Sequence, residues 1–187
     1  MVIAKKTKDG VLVGISAVDS YIDMTIDDIM LDENQHFWKV SETEELYVFA
    51  AHASRAADVL RYNDEIFKNI NNGISIVKNT VPKMKELFAK QGILIDGKEW
   101  DNQLIIVNGK SIYKISRYFV VSEEDSFVCT PKSAYFEGTI EESSNDSEEM
   151  SILKGFGVIE QVNMRKLFPV TIFDVKNEKY TIHHEIN

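Results

Sequence analysis

The chain has only one cysteine, Cys129, so no disulfide can form within it. Three prolines and nine glycines in 187 residues are too few for a collagen-like or Pro/Gly-rich low-complexity chain. Positive charge is in deficit: 21 Lys and Arg face 30 Asp and Glu, giving a formal net charge of −9. A field of that sign repels phosphate backbones, and the cations form no basic stripe interleaved with aromatics, so a nucleic-acid partner is not expected. No window approaches the roughly 18 apolar residues of a spanning helix. The opening MVIAKKTKDG lacks an apolar core of signal-peptide length. These absences argue against a membrane association and favour a reducing cytoplasm. There is also no P-loop, dinucleotide fingerprint or paired CxxC, and no cofactor is expected.

What the chain does have is 44% hydrophobic and 27% charged residues, the balance of a soluble globular protein large enough for one sizeable core. Met1 to Lys5 and Val11 to Val18 read as two strands around the Lys8-Asp9-Gly10 turn, with Gly14 marking a bulge or a close backbone approach. Asp19 to Glu33 is acidic and weakly patterned, an irregular excursion. Strand-like runs follow at His36 to Val40 and Leu46 to His52. Ser54 then caps a helix whose apolar face runs from Ala56 to Ile70, and Asn72-Gly73 closes it. A second helix is expected from Val81 to Gln91, with Pro82 in its first turn and Gly92 at its end.

Asn108-Gly109 joins strands at Gln103 to Val107 and Ser111 to Ser116, the strongest hairpin signal in the sequence. Arg117 to Val121 and Ser126 to Cys129 suggest further strands, and a third helix begins after Pro131. The acidic run Glu141 to Glu149 reads as a solvated loop or helix start. Met150 to Met164 is helix-compatible, and a hairpin from Val170 to His184 ends the pattern. The order is strands, two helices, strands, two helices, strands. It fits an α+β protein with two sheets between two helical layers, an αββα sandwich, and residues 1–187 are expected to be one domain.

That order resembles the proteasome β-subunit family, including the bacterial proteasome-like heat-shock peptidase, all N-terminal-nucleophile (Ntn) hydrolases. MVIAKKTKDGVLVGISAVD is similar to the family's opening hairpin, and FWKV to the strand carrying its active-site lysine, a role this would give to Lys39. LYVFAAHASRAADVL resembles the next strand, small-residue turn and long helix. NQLIIVNGKSIYKIS resembles the hairpin after the two central helices, and CTPKSAYFEG the turn entering the third. The resemblance implies assembly with itself or a related chain, because subunits of this family form rings. It also implies chemistry in which a terminal threonine supplies both nucleophile and amine. The aligned residue here is Met1, followed by Val2, and neither carries a nucleophile. The family's oxyanion-hole glycine falls near His52 to Ser54, where a backbone amide could still serve.

The candidate cleft residues are therefore Lys39, with Asp19 and Ser16 behind it, and a small anionic ligand would meet Lys39, His52 and Ser54. Each has a plainer reading: a strand lysine facing solvent, a turn-forming aspartate, core or cap hydroxyls. Cys129 is a second potential nucleophile or a buried small hydrophobe. His183-His184-Glu185 could suggest a metal, but adjacent strand residues point to opposite faces, and no metal site is expected. Three functions stay open. The chain is a proteasome-like subunit silent as a peptidase, an amide hydrolase using Cys129 or a hydroxyl exposed by processing at Thr7 or Ser16, or a binding module around Lys39.

Overall fold

A computed structural model describes residues 1–16, 37–40, 45–130, 138–139, 146–164 and 166–186. Strands β1 (Val2–Lys6) and β2 (Val11–Ser16) form the expected hairpin, in which Thr7 Oγ1 accepts from the amides of Asp9 and Gly10. They join β8 (Phe127–Thr130), β9 (Val170–Asp174) and β10 (Lys179–His183) in an antiparallel sheet of order β10-β9-β2-β1-β8. The first and last segments of the chain thus share one sheet. A second antiparallel sheet has the order β3-β4-β5-β6-β7. Its strands are β3 (Phe37–Lys39), β4 (Leu46–Ala50), β5 (Leu104–Asn108), β6 (Ser111–Ile115) and β7 (Val121–Glu124).

Side-chain alternation distributes these strands over three apolar layers. Val2, Ala4, Val13, Phe49, Ile105, Val107 and Phe173 meet between the sheets. Trp38, Val48, Leu104 and Ile106 point the other way, onto α1 (Arg55–Arg61) and α3 (Val81–Gln91). Met1, Ile3, Val170 and Ile172 pack instead on α4 (Glu148–Asn163). The result is helix, sheet, sheet, helix, the αββα sandwich read from the sequence.

Gly14 is where α4 comes closest. A Cβ there would lie 2.5 Å from Ile152 and 2.7 Å from Phe156, so the glycine marks a close approach, not a bulge. Several boundaries differ from the sequence reading. The first long helix stops at Arg61, and Asp64–Phe67 continues as a 3₁₀ turn. Asn72-Gly73 does not close that helix. Asn72 is the N-cap of the short α2 (Gly73–Ser75), in a reciprocal capping box with Ser75, and a π turn over Ile76–Thr80 carries the chain into α3. Arg117 to Val120 is a turn held by Ser116, and β7 begins only at Val121. The loops expected at Asp19 to Glu33 and in the acidic run lie wholly or mostly outside the described residues, as does the start of the helix after Pro131. The end of the acidic run, Ser147 to Glu149, caps and opens α4, two residues before the expected start.

Candidate functional site

The position of interest is the start of β1. Met1 is buried there, and its side chain belongs to the α4-side core with Ile3, Cys129, Ile152 and Phe156. Ser16, at the end of β2, is fully buried beside it. Its amide donates to Met1 O (3.1 Å) and its hydroxyl to Leu167 O (2.7 Å). Thr130, also fully buried, donates to Val2 O at 3.4 Å. Both of these hydroxyls thus give their protons to backbone carbonyls. A carbonyl oxygen does not act as a general base, and activating a hydroxyl requires one. Cys129 is buried in the same apolar cluster, whereas reactive cysteines sit in partly exposed electropositive settings.

The turn after β4 carries His52 and Ser54 and is organised by Asn102, which the sequence reading did not single out. Asn102 Oδ1 accepts from the amides of Ala51 (3.0 Å) and Gln103 (2.8 Å). Its Nδ2 donates to His52 O (2.7 Å) and Ser54 Oγ (2.9 Å). Ser54 Oγ also accepts from Ala57 N at 3.2 Å as the N-cap of α1. The Ala51 amide donates in addition to Gln103 O at 2.9 Å. The Ala51 amide is therefore spent within the turn. Asn102 stands between two other polar residues, Asp101 and Gln103, so nothing in the sequence marks it as the organiser.

Lys39 stands elsewhere. Its Nζ lies 2.5 Å from Glu178 Oε1, in the β9–β10 turn, and 5.7 Å from the centre of the Tyr47 ring. Tyr47 donates its hydroxyl to the same carboxylate oxygen at 2.7 Å. The two hydrogen bonds and the lysine charge hold the Glu178 carboxyl below its ordinary range. Burial first, and the adjacent carboxylate second, push the Tyr47 phenol well above its ordinary value. The β9–β10 turn follows Asp174, whereas Ser16 pairs with Val170 at the other end of β9. Four residues of strand, about 13 Å, separate those ends. The structure therefore brings Ser16 to Met1, brings His52 to Ser54, and ties Lys39 to the opposite end of the sandwich. Phe37, two residues earlier on the same face of β3, is the residue further from that turn. It packs on Phe49 (ring centroids 5.4 Å) and Phe173 (5.7 Å). Asp19 lies outside the described residues.

Two other clusters are built into the fold. Lys5 Nζ lies 2.6 Å from Glu148 Oε2 and donates to Ser151 Oγ at 2.7 Å, but Ser151 is fully buried and donates to Glu148 O. His183 Nε2 sits 2.6 Å from Glu149 Oε1, so His183 is paired across to α4. Among the described residues no three His, Cys, Asp or Glu gather to hold a metal ion, and no helix is long and apolar enough to cross a membrane. An open groove of about 440 Å³, lined by Gly73, Ile74, Val77, Lys78, Val121 and Glu123, lies beside β7.

The layered architecture defines the class of fold, and comparison with solved structures agrees. BPH from Thiobacillus denitrificans, in complex with epoxomicin, superposes with a TM-score of 0.66 at 13% identity, covering 92% of this chain and 96% of that one. Anbu, the ancestral β-subunit from Yersinia bercovieri, gives 0.67 at 12%, covering 98% and 87%. The eukaryotic HslV from Trypanosoma brucei gives 0.56 at 11%, covering 97% and 99%. No protein-family model matches the sequence, and neither does any curated protein. The chain has the Ntn-hydrolase fold of the proteasome β-subunit-like proteins over nearly its whole length. Identities of 11–13% carry the architecture and leave the activity to be argued from the residues.

Proposed function

We propose that this chain is a proteasome-subunit-like protein that is silent as a peptidase and acts by assembling with itself or a related chain. The observation that carries this is Met1. The residue at the start of β1 is a buried core methionine, and the hydroxyls beside it, Ser16 and Thr130, donate to carbonyls. Exposing a hydroxyl by processing is disfavoured by the sheet itself. A cut before Thr7 removes β1, which pairs on both sides with β2 and β8, and a cut before Ser16 removes both hairpin strands. The ligand-binding reading has no observation in its favour, since the Lys39 ammonium is engaged by Glu178. The proposal treats residues 1–187 as one domain and places it in a reducing cytoplasm, in keeping with a single, buried cysteine.

Intact-mass analysis with N-terminal sequencing of the native protein is the deciding experiment. A chain retaining Met1 or beginning at Val2 agrees with the proposal, and so does the absence of a mass increment after incubation with epoxomicin, the compound bound to BPH. A mature chain beginning at Thr, Ser or Cys, or a stoichiometric epoxomicin adduct, would overturn it.

A further inference from the structure

Among the described residues β10 is an edge strand paired only with β9, so its outer side presents a row of backbone N–H and C=O groups. Natural edges are commonly blunted by proline, a bulge, inward charge or a covering element. β10 pairs with β9 over all five residues without a break and contains no proline. Tyr180 and Ile182 remain 52% and 38% exposed on the face that looks toward the second sheet, opposite Phe173 and Thr171. Beyond His183 the chain turns onto α4, where Ile186 lies against Gly157, and so leaves the β10 edge behind.

We propose that β10 pairs antiparallel with β10 of a second copy about a two-fold axis at Thr181, joining two five-stranded sheets into one. This inference rests on the self-assembly reading above and names the surface it would use. The register is what selects a second copy as the occupant. Centred on Thr181, it sets Tyr180 against Ile182 of the other copy, an aromatic and β-branched cross-strand pair made twice by symmetry. It also sets Lys179 against His183 of the other copy. There Glu149 holds His183 Nε2 at 2.6 Å and accepts from Thr181 Oγ1 at 3.0 Å, so each lysine arrives beside a carboxylate.

Neighbouring registers lose this match. Centring on Tyr180 opposes Ile182 with Glu178, and centring on Ile182 opposes Tyr180 with His184. The edge strands of the second sheet offer no equivalent: β3 has only three residues, and β7 is VSEE, where self-pairing would gather Glu123 and Glu124 from both copies.

The test uses the full chain. Residues directly opposed in an antiparallel pair have Cα atoms roughly 4.5–5.5 Å apart, within the span of a disulfide. Thr181→Cys is expected to give a disulfide-linked dimer on mild oxidation, while Tyr62→Cys, at an exposed site away from the edge, stays unlinked. In sedimentation velocity at micromolar concentration, Tyr180→Lys/Ile182→Lys is expected to lower the assembly state of the wild-type chain, with circular dichroism unchanged because both side chains are already solvent-facing. A wild-type oligomer that survives this double substitution, with no Thr181→Cys cross-link, overturns the β10 surface and leaves self-assembly standing. A wild-type chain that sediments as a monomer removes both.

Discussion

Asn102 shows what one buried polar side chain can fix. Its amide satisfies two backbone N–H groups, one carbonyl and the Ser54 cap, all within the turn that leads from β4 to α1. Removing it takes a partner from each of these groups, although the Ala51 amide keeps Gln103 O and Ser54 keeps Ala57 N, and each group left unsatisfied costs about 1–3 kcal/mol. Asn102→Ala is therefore expected to lower unfolding free energy by roughly 3 kcal/mol in urea titrations, the partial sum expected when the turn relaxes. A loss below about 1 kcal/mol would mean that water replaces the amide. Glu178 tests electrostatics at the other end. It sits at a left-handed φ of 52°, a conformation glycine or asparagine adopts more readily, yet its carboxylate serves both Lys39 and Tyr47. Its folded-state pKa is lowered, so its contribution is present above the ordinary carboxylate value and lost as pH falls. Tyr47 is raised, so its contribution is present below the ordinary phenol value of 10.0 and lost as pH rises past it. Glu178→Gln should flatten the stability profile at both extremes and let the Tyr47 phenolate absorbance appear at lower pH. An unchanged tyrosine titration would show that burial alone sets Tyr47.

Elements were legible where local chemistry and tertiary packing agree. The Asn108-Gly109 hairpin, the Lys8-Asp9-Gly10 turn, Pro82 and Gly92 bounding α3 and the final hairpin all fall where the sequence puts them, because each turn is fixed by residues within it. Asn72-Gly73 misleads because the same dipeptide suits either end of a helix; the capping box with Ser75 selects the N-terminal role. Lys39 illustrates a different limit. Phe37 and Lys39 share one face of β3, and a period of two cannot say which of them lies toward Met1. Gly14, which faces α4, and Gly157, within it, make a pair of opposite predictions. Gly14→Ala drives a methyl into Ile152 and Phe156 between β2 and the helix, and overpacking of this kind costs about 1–3 kcal/mol. Gly157→Ala meets only the flexible end of Ile186, which is partly exposed and can rotate away, while the helix gains up to about 1 kcal/mol in propensity. Thermal unfolding should thus move down for the first and hold or rise for the second. Equal losses would mean that the chain end is as tightly packed as the core.

At the scale of the whole molecule, the question is whether restoring a nucleophile would restore the chemistry that the fold supports elsewhere. An Ntn centre works through several groups held at one end of the sandwich: the hydroxyl, a base, a nearby cation and an oxyanion donor. Here Lys39 is engaged with the β9–β10 turn, at the far end of the first sheet from Met1. The Ser16 hydroxyl is committed to Leu167 O. A variant processed to begin with threonine at position 1, Met1→Thr, is accordingly expected to hydrolyse fluorogenic peptides no faster than wild type. It should also lose roughly 2–4 kcal/mol of stability, because a buried methionine is exchanged for a smaller, polar side chain in the α4-side core. The two readouts separate the explanations. Loss of stability without turnover places the silence in the surroundings of position 1 as well as in its side chain. Turnover well above wild type would show that the missing hydroxyl alone had silenced an otherwise competent centre, and the proposed function would then have to give way to that of a recently disabled peptidase.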